Sequence, residues 1–190
     1  MSADDILAFW FQGDPDAFRK AWFVRDDAFD AEIRARFGAL AAPARDGAFD
    51  GWAATPDGAL ALLILLDQFS RNLFRGTPEA FAGDSKARDV ARQVVLADRM
   101  DLALRPTQRI FLYLPFEHSE SLADQELSVT LFEGLRDEPV HAAPQGTIDY
   151  AWRHWRVIRR FGRFPHRNAA LGRASTPAEV AYLAQPGAGF

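Results

Sequence analysis

Cysteine is absent from the 190 residues, which removes disulfides, thiolate metal sites and cysteine nucleophiles together. Long apolar runs are missing as well. The longest, Ala59 to Leu66, falls far short of the roughly 20 residues that a membrane span requires. There is no surplus of positive charge: 22 Lys and Arg stand against 26 Asp and Glu, a net charge of −4 that gives no general pull toward nucleic acid or acidic lipid. No segment alternates with a period of two, so nothing reads as a strand. The chain lacks self-similarity at the roughly 33- to 34-residue periods of ankyrin and tetratricopeptide arrays. It also lacks a glycine-rich phosphate loop, a G-x-S-x-G elbow, an H-E-x-x-H pair and the E-x-x-H of carboxylate-bridged iron helices. The opening MSADDILAFW is acidic where a secretory leader would be basic, and its apolar part is short. The expectation is a cytoplasmic protein without a membrane segment, resident metal or cofactor.

What is present is bulk for a core. Apolar residues make up 48% of the chain, with 16 Phe and 5 Trp, and the length suits one domain spanning 1–190 with a loose tail from about Pro186. Helix signals recur. Ser2 with Asp5 forms a weak capping box before Ile6, Phe9 and Trp10, and Gly13 and Pro15 close that segment. Asp26 or Asp27 can cap a helix in which Phe29, Ile33 and Phe37 recur every fourth residue. Asp84 or Ser85 opens a helix reaching about Met100. Another runs from Pro106 through Ile110 to Leu114, with Pro115 set to bend it. A loop is expected over 137–146. A helix from Thr147 to Phe161 follows, with Tyr150, His154, Val157 and Phe161 on one face and Gly162 as its stop. Thr176, Pro177 and Glu179 spell a full capping box for a last helix. Short Pro- or Gly-bearing links between helices imply stacked antiparallel pairs in an all-α fold.

The chain is organised around Thr55 to Phe81. Thr55-Pro56 is a helix start, and from Ala59 to Leu66 no face is left for water. The polar residues Asp67, Gln68, Arg71, Asn72 and Arg75 follow abruptly, and Asp67 and Arg71 continue the buried stripe of Leu60, Leu63 and Ile64. Buried charge must be paired or it costs several kcal/mol per ion, on the order that desolvation sets. Two guanidiniums and an amide at that helix end suit a carboxylate or phosphate. The plainer alternative is an internal Asp67–Arg71 pair, with Arg75 answering the helix dipole.

The helix from Pro106 ends in the same way, in Glu117, His118, Ser119 and Glu120, with Asp124 and Gln125 close behind. A histidine among carboxylates can serve as a tuned base; the plainer alternative is that these groups end one helix and start the next. From Tyr150 to Ala178 there is no acidic residue, while seven arginines interleave with Trp152, Trp155, Phe161 and Phe164. That pattern invites an RNA reading, but a basic face packed on an acidic remainder explains it better, and nucleic acid is ranked as an improbable partner. His154 reads as a hydrogen-bonded core histidine, and His166, between Pro165 and Arg167, as the more functional one.

The blocks LDQFSRNLFRGTPEAFAGD (Leu66 to Asp84), FLYLPFEHSESLADQ (Phe111 to Gln125) and RFGRFPHRNAALGRASTPAEVAYL (Arg160 to Leu183), with the opening ILAFWF and WFVRDDAFDAEIRARF, resemble the bacterial domain of unknown function 924 family over nearly the whole chain. The resemblance implies an all-helical fold similar to the right-handed superhelices of tetratricopeptide proteins, and it brings no established activity. The family's polar positions, as they stand here, are Asp67, Gln68, Arg71, Asn72, Arg75, Glu117, His118, Ser119, Asp124, Gln125, His166, Arg167 and Asn168.

The reading that follows is a binding module for a small anionic ligand or a peptide terminus. Arg71, Arg75, Asn72, Gln68, Arg167 and Asn168 are its ligand-binding residues, and three separated blocks line one pocket. His118 and His166, oriented by Glu117 and Asp67, are the candidate proton carriers for the alternative, a hydrolase working by acid–base chemistry. RNA contact through the arginine-rich helix ranks third.

Overall fold

The computed structural model describes residues 1–14 and 16–189, and helices and turns are the only regular structure among them. The expected all-α class holds. The described chain forms two compact units: Met1–Arg75 with Glu79–Pro115, and Gly76–Pro78 with Phe116–Phe190.

In the first unit, α1 (Ala3–Trp10) starts at Ser2, whose hydroxyl accepts from Asp5 N at 3.3 Å while the Asp5 carboxylate accepts from Ser2 N at 2.7 Å. This is the reciprocal box foreseen from the residues. Pro15, expected to help end that segment, lies outside the described residues. α2 (Asp27–Phe37) is capped by the Asp26 carboxylate, which accepts from Ala28 N and Phe29 N, and it buries Phe29, Ile33 and Phe37. The short α3 (Ala41–Arg45) follows. α4 (Pro56–Leu63) begins at Thr55, whose hydroxyl accepts from Gly58 N at 3.2 Å. A side chain at Gly58 would place its Cβ 2.2 Å from Trp52 O, so only glycine lets the preceding turn lie this close to α4.

α4 runs on through a π-helical turn, Ile64–Phe69, into α5 (Ser70–Leu73). Every residue of that turn is buried, so Asp67 and Gln68 enter the interior with the leucines. Around them packs an aromatic core. Phe37 and Phe69 have centroids 5.0 Å apart, Phe9 stacks on Phe29 at 5.2 Å, and Trp10 meets Phe111 edge-on at 5.5 Å. α6 (Asp84–Ala91) has no side-chain cap and passes into a second π-helical turn, Arg92–Ala97. α7 (Pro106–Glu117) contains Pro115 and stops two residues after it.

The second unit packs α8 (Leu122–Glu133) against α10 (Thr147–Phe161). The stretch expected as a loop holds one helical turn, α9 (Pro139–Ala142). α10 buries Ile148, Ala151, His154, Val157 and Ile158, a stripe rotated from the expected one. Tyr150 faces outward beneath Arg153, whose guanidinium lies 4.9 Å from its ring. A fully buried Ala151 takes the inner position, where a small side chain lets helices approach closely. Gly162, at φ +69°, ends α10 by donating its N–H to Ile158 O at 2.8 Å. After a 3₁₀ turn at Pro165–Arg167 comes α11 (Pro177–Leu183), with Thr176 and Glu179 in the expected box.

Candidate functional site

The polar end of the central helix is a self-contained network within the first unit. Arg71 places Nη1 and Nη2 on the two oxygens of Asp84, at 2.9 and 3.1 Å, and Nη1 is 2.9 Å from Asp67 Oδ1. Burial works against the Arg71 charge, but Asp67 and Asp84 outweigh it and raise its affinity for the proton. Gln68 Nε2 donates to Asp67 Oδ2 at 2.5 Å. Asn72 Nδ2 donates to Asp30 Oδ1 at 2.7 Å, and Arg75 grips both oxygens of Asp30, at 2.5 and 3.0 Å. Burial tends to raise the Asp30 carboxyl, but Arg75 and Asn72 hold it below the usual carboxylate range. Asn72 and Arg75 also border a wide-mouthed depression of about 290 Å³, lined by Arg25, Arg34, Asp27 and Asp30. Its open, mixed-charge walls differ from the concave, mostly apolar sites that enclose small ligands. Asp30 and Asp84 complete the network from other helices, at sequence distances that no local pattern exposes.

The second cluster belongs to the second unit and gathers around Phe164, which is fully buried. The Phe164 ring lies 5.5 Å from the His154 ring and 5.4 Å from the His166 ring, with the Arg167 guanidinium 4.5 Å from its centroid. His118 and His154 meet edge-on at 6.1 Å. Two carboxylates complete the set. Glu117, buried at the end of α7, places Oε1 3.1 Å from His154 Nδ1. Glu120 accepts from Phe164 N at 2.8 Å and takes both arms of Arg173, at 2.8 and 2.9 Å. Burial tends to raise the Glu120 carboxyl; Arg173 and the Phe164 amide bring it below its ordinary value.

His154 is the most constrained member. Its Nδ1 is 2.9 Å from Tyr150 O, and a carbonyl can only accept, so Nδ1 carries the hydrogen and Nε2 is the basic nitrogen. Burial, reinforced by the positive charge of His118, Arg167 and His166, drives its affinity for a second proton well below the ordinary histidine value. The Glu117–His154 contact therefore sets a neutral imidazole beside a carboxyl group and is not an ion pair, although it lies within ion-pair distance. The bend after α7 that presents Glu117 and His118 is held from α8. Gln125 Nε2 donates to Glu117 O at 2.5 Å and to Ser119 O at 2.7 Å, and Ser119 Oγ donates to Asp124 Oδ2 at 2.7 Å.

Of the residues singled out in the sequence, this unit brings together Glu117, His118, His166 and Arg167. Asp67, Gln68, Arg71, Asn72 and Arg75 form the separate network of the first unit. Asn168 braces the turn after Arg167: its Oδ1 accepts from Arg173 Nε at 2.9 Å and its Nδ2 donates to Ser175 Oγ at 3.1 Å. Sequence reasoning named Phe164 only among the aromatics that interleave with the arginines, and placed His154 in the core as a hydrogen-bonded histidine. That description is true of its Nδ1 but silent on its neighbours. The tail reaches the same cluster, since Ala188 and Gly189 are half-buried and a Cβ on Gly189 would stand 3.4 Å from His166 Cβ.

The model of a family described as bacterial protein of unknown function (DUF924) matches residues 6–187. The chain is similar to a solved structure of a protein of unknown function from Agrobacterium tumefaciens, at 38% identity and a TM-score of 0.84, with 96% of each chain covered. No curated protein matches it.

Proposed function

Since the chain belongs to the DUF924 family of bacterial proteins of unknown function, we propose from its chemistry that the second unit binds a small anionic ligand bearing a carboxylate or phosphoryl group. The binding group is Arg167, with His118 and His166 as flanking donors; Phe164 is the platform under Arg167 and His166, and His118 stands against His154. One observation carries this reading: the guanidinium of Arg167, a residue only 6% exposed, stands on a ring that it shares with the imidazoles of His154 and His166. Glu120, the nearby acid, is gripped by Arg173 and also feels the Arg167 charge. Guanidinium–oxyanion bonds in such partly desolvated surroundings are the strong class of hydrogen bond. The arginines of the first unit, which ranked alongside Arg167 on sequence grounds, are occupied by Asp84, Asp67 and Asp30 and take no part in this reading.

The test is calorimetric titration of inorganic phosphate and acetate into metal-stripped protein. Saturable binding is expected. Arg167→Gln should weaken it by roughly 10- to 100-fold, the worth of one charge-assisted hydrogen bond. His166→Gln, at a half-buried position, should weaken it while leaving the melting temperature unchanged. Absence of saturable binding by either anion, or binding indifferent to both substitutions, would sink the reading.

A second reading, hydrolysis by acid–base catalysis, is favoured by the pairing of neutral His154 with Glu117. Turnover of a chromogenic phosphate or carboxylate ester that survives both His118→Ala and His166→Ala would remove it.

A further inference from the structure

Consecutive residues of an unbroken helix point about 100° apart, so Glu117 and His118 could not share a target if α7 continued. It ends at Glu117, and the bend held by Gln125 and Ser119 turns the next residue out of helical register. His154 then arrives from α10. The three residues each place one ligating atom within 4.8 Å of the others'. Atoms bound to a common ion at about 2.0–2.2 Å in a tetrahedral site lie about 3.3–3.6 Å apart. The remaining gap is at most about 1.5 Å on that same scale, to be closed by rotation of side chains such as the half-buried His118.

We infer that Glu117, His118 and His154 form a binding site for a divalent first-row transition metal ion of the Zn²⁺ or Fe²⁺ class. Two imidazoles and one carboxylate make the donor set that suits these ions while leaving coordination positions open. Magnesium and calcium, which prefer sets made of oxygen alone, fit poorly. The outer shell is in place. The His154 Nδ1–H is anchored on the Tyr150 carbonyl at 2.9 Å, as metal-binding histidines commonly anchor their second nitrogen, and this fixes ring orientation and tautomer before any ion arrives. The backbone that carries Glu117 is pinned by Gln125 at 2.5 Å. Glu117 supplies one negative charge, so a dication leaves the site positive beside Arg167, and the open positions would then take an anionic oxygen. The inference rests on the preceding reading for the location of the site but not for its ligand.

The measurement is a Co²⁺ titration of untagged, chelator-stripped full-length protein in phosphate-free buffer, followed by absorption and then by displacement with Zn²⁺. A single saturating equivalent with the intense ligand-field bands of low coordination number is expected, and Zn²⁺ should abolish them. His118→Ala and Glu117→Gln should each weaken binding by more than the roughly 10- to 100-fold lost when an outer-shell partner is removed. Far-ultraviolet circular dichroism checks that both remain folded. His118→Ala sits at a half-buried bend, and Glu117→Gln keeps its shape, so at least one gives a folded comparison. A spectrum of hydrated Co²⁺, or affinity unchanged in a folded variant, overturns the inference. Because phosphate is absent, loss of the metal site and loss of the anion reading are separate results.

Discussion

Arg71 and Arg167 both carry a guanidinium out of bulk water: Asp67 and Asp84 hold the first, and the second lies over the Phe164 ring. Asp67 is only 1% exposed and has Arg71 2.9 Å away. Truncating one partner of such a pair leaves the other charge buried, at a cost of about 3–5 kcal/mol. Arg71→Ala is therefore expected to lower the unfolding free energy by that amount, read as a lower urea midpoint with the slope unchanged; a loss below about 1 kcal/mol would mean that Asp67 depends on its other bonds. Glu179 makes a pH-dependent counterpart. Arg163 and the Thr176 amide hold its carboxyl at about 2, against an ordinary value of 4.5. Unfolding raises that affinity for protons, so the stabilisation is fully present above about 4.5 and is lost as the pH falls through about 2. Melting curves of the wild type and Glu179→Gln should differ at neutral pH and converge across that window; a constant difference would show that Glu179 acts through its shape alone.

At the scale of elements, the ends of helices were the legible part. Ser2 with Asp5, Thr55 with Pro56, and Thr176 with Glu179 all cap as their residue types dictate, because capping is chemistry between near neighbours. Two things were not legible. The π-helical turn at Ile64–Phe69 is a register change inside a run that is apolar on every side, and such a run has no polar stripe to reveal the change. The inner face of α10 was misplaced at Tyr150, which counts as apolar but is exposed, with Arg153 4.9 Å from its ring; Phe161 does pack against Val157, Ile158 and Phe164. The end of α10 depends on Gly162 at φ +69°. Gly162→Ala should cost about 1–2 kcal/mol, the price of a left-handed residue with a Cβ. Thermal unfolding reads this directly, and a neutral substitution would mean that the αL cap is dispensable.

Over the whole molecule, the arginine-rich stretch that invited nucleic acid is largely spent on the protein itself. Arg153 pairs with Asp149 at 2.8 Å, Arg163 with Glu179 at 2.7 Å and Arg173 with Glu120 at 2.8 Å, while Arg159 lies over Trp155. The sequence favoured this account, a basic face packed on acidic groups; which acids it meets was hidden, because Glu120 and Glu179 lie beyond either end of the acid-free stretch. Glu117, His118, His166 and Arg167 stood out in the sequence as polar groups beside apolar helices, which are costly to bury unless partnered. Their assembly with His154 and Phe164 did not, because it depends on how α8 and α10 pack. Gly189 lies beside His166 at φ +94°, and this has a practical bearing on labelling. A probe attached at Gly189 would strain the backbone and press on the His166 side chain, whereas one on the exposed Val180 leaves that contact alone.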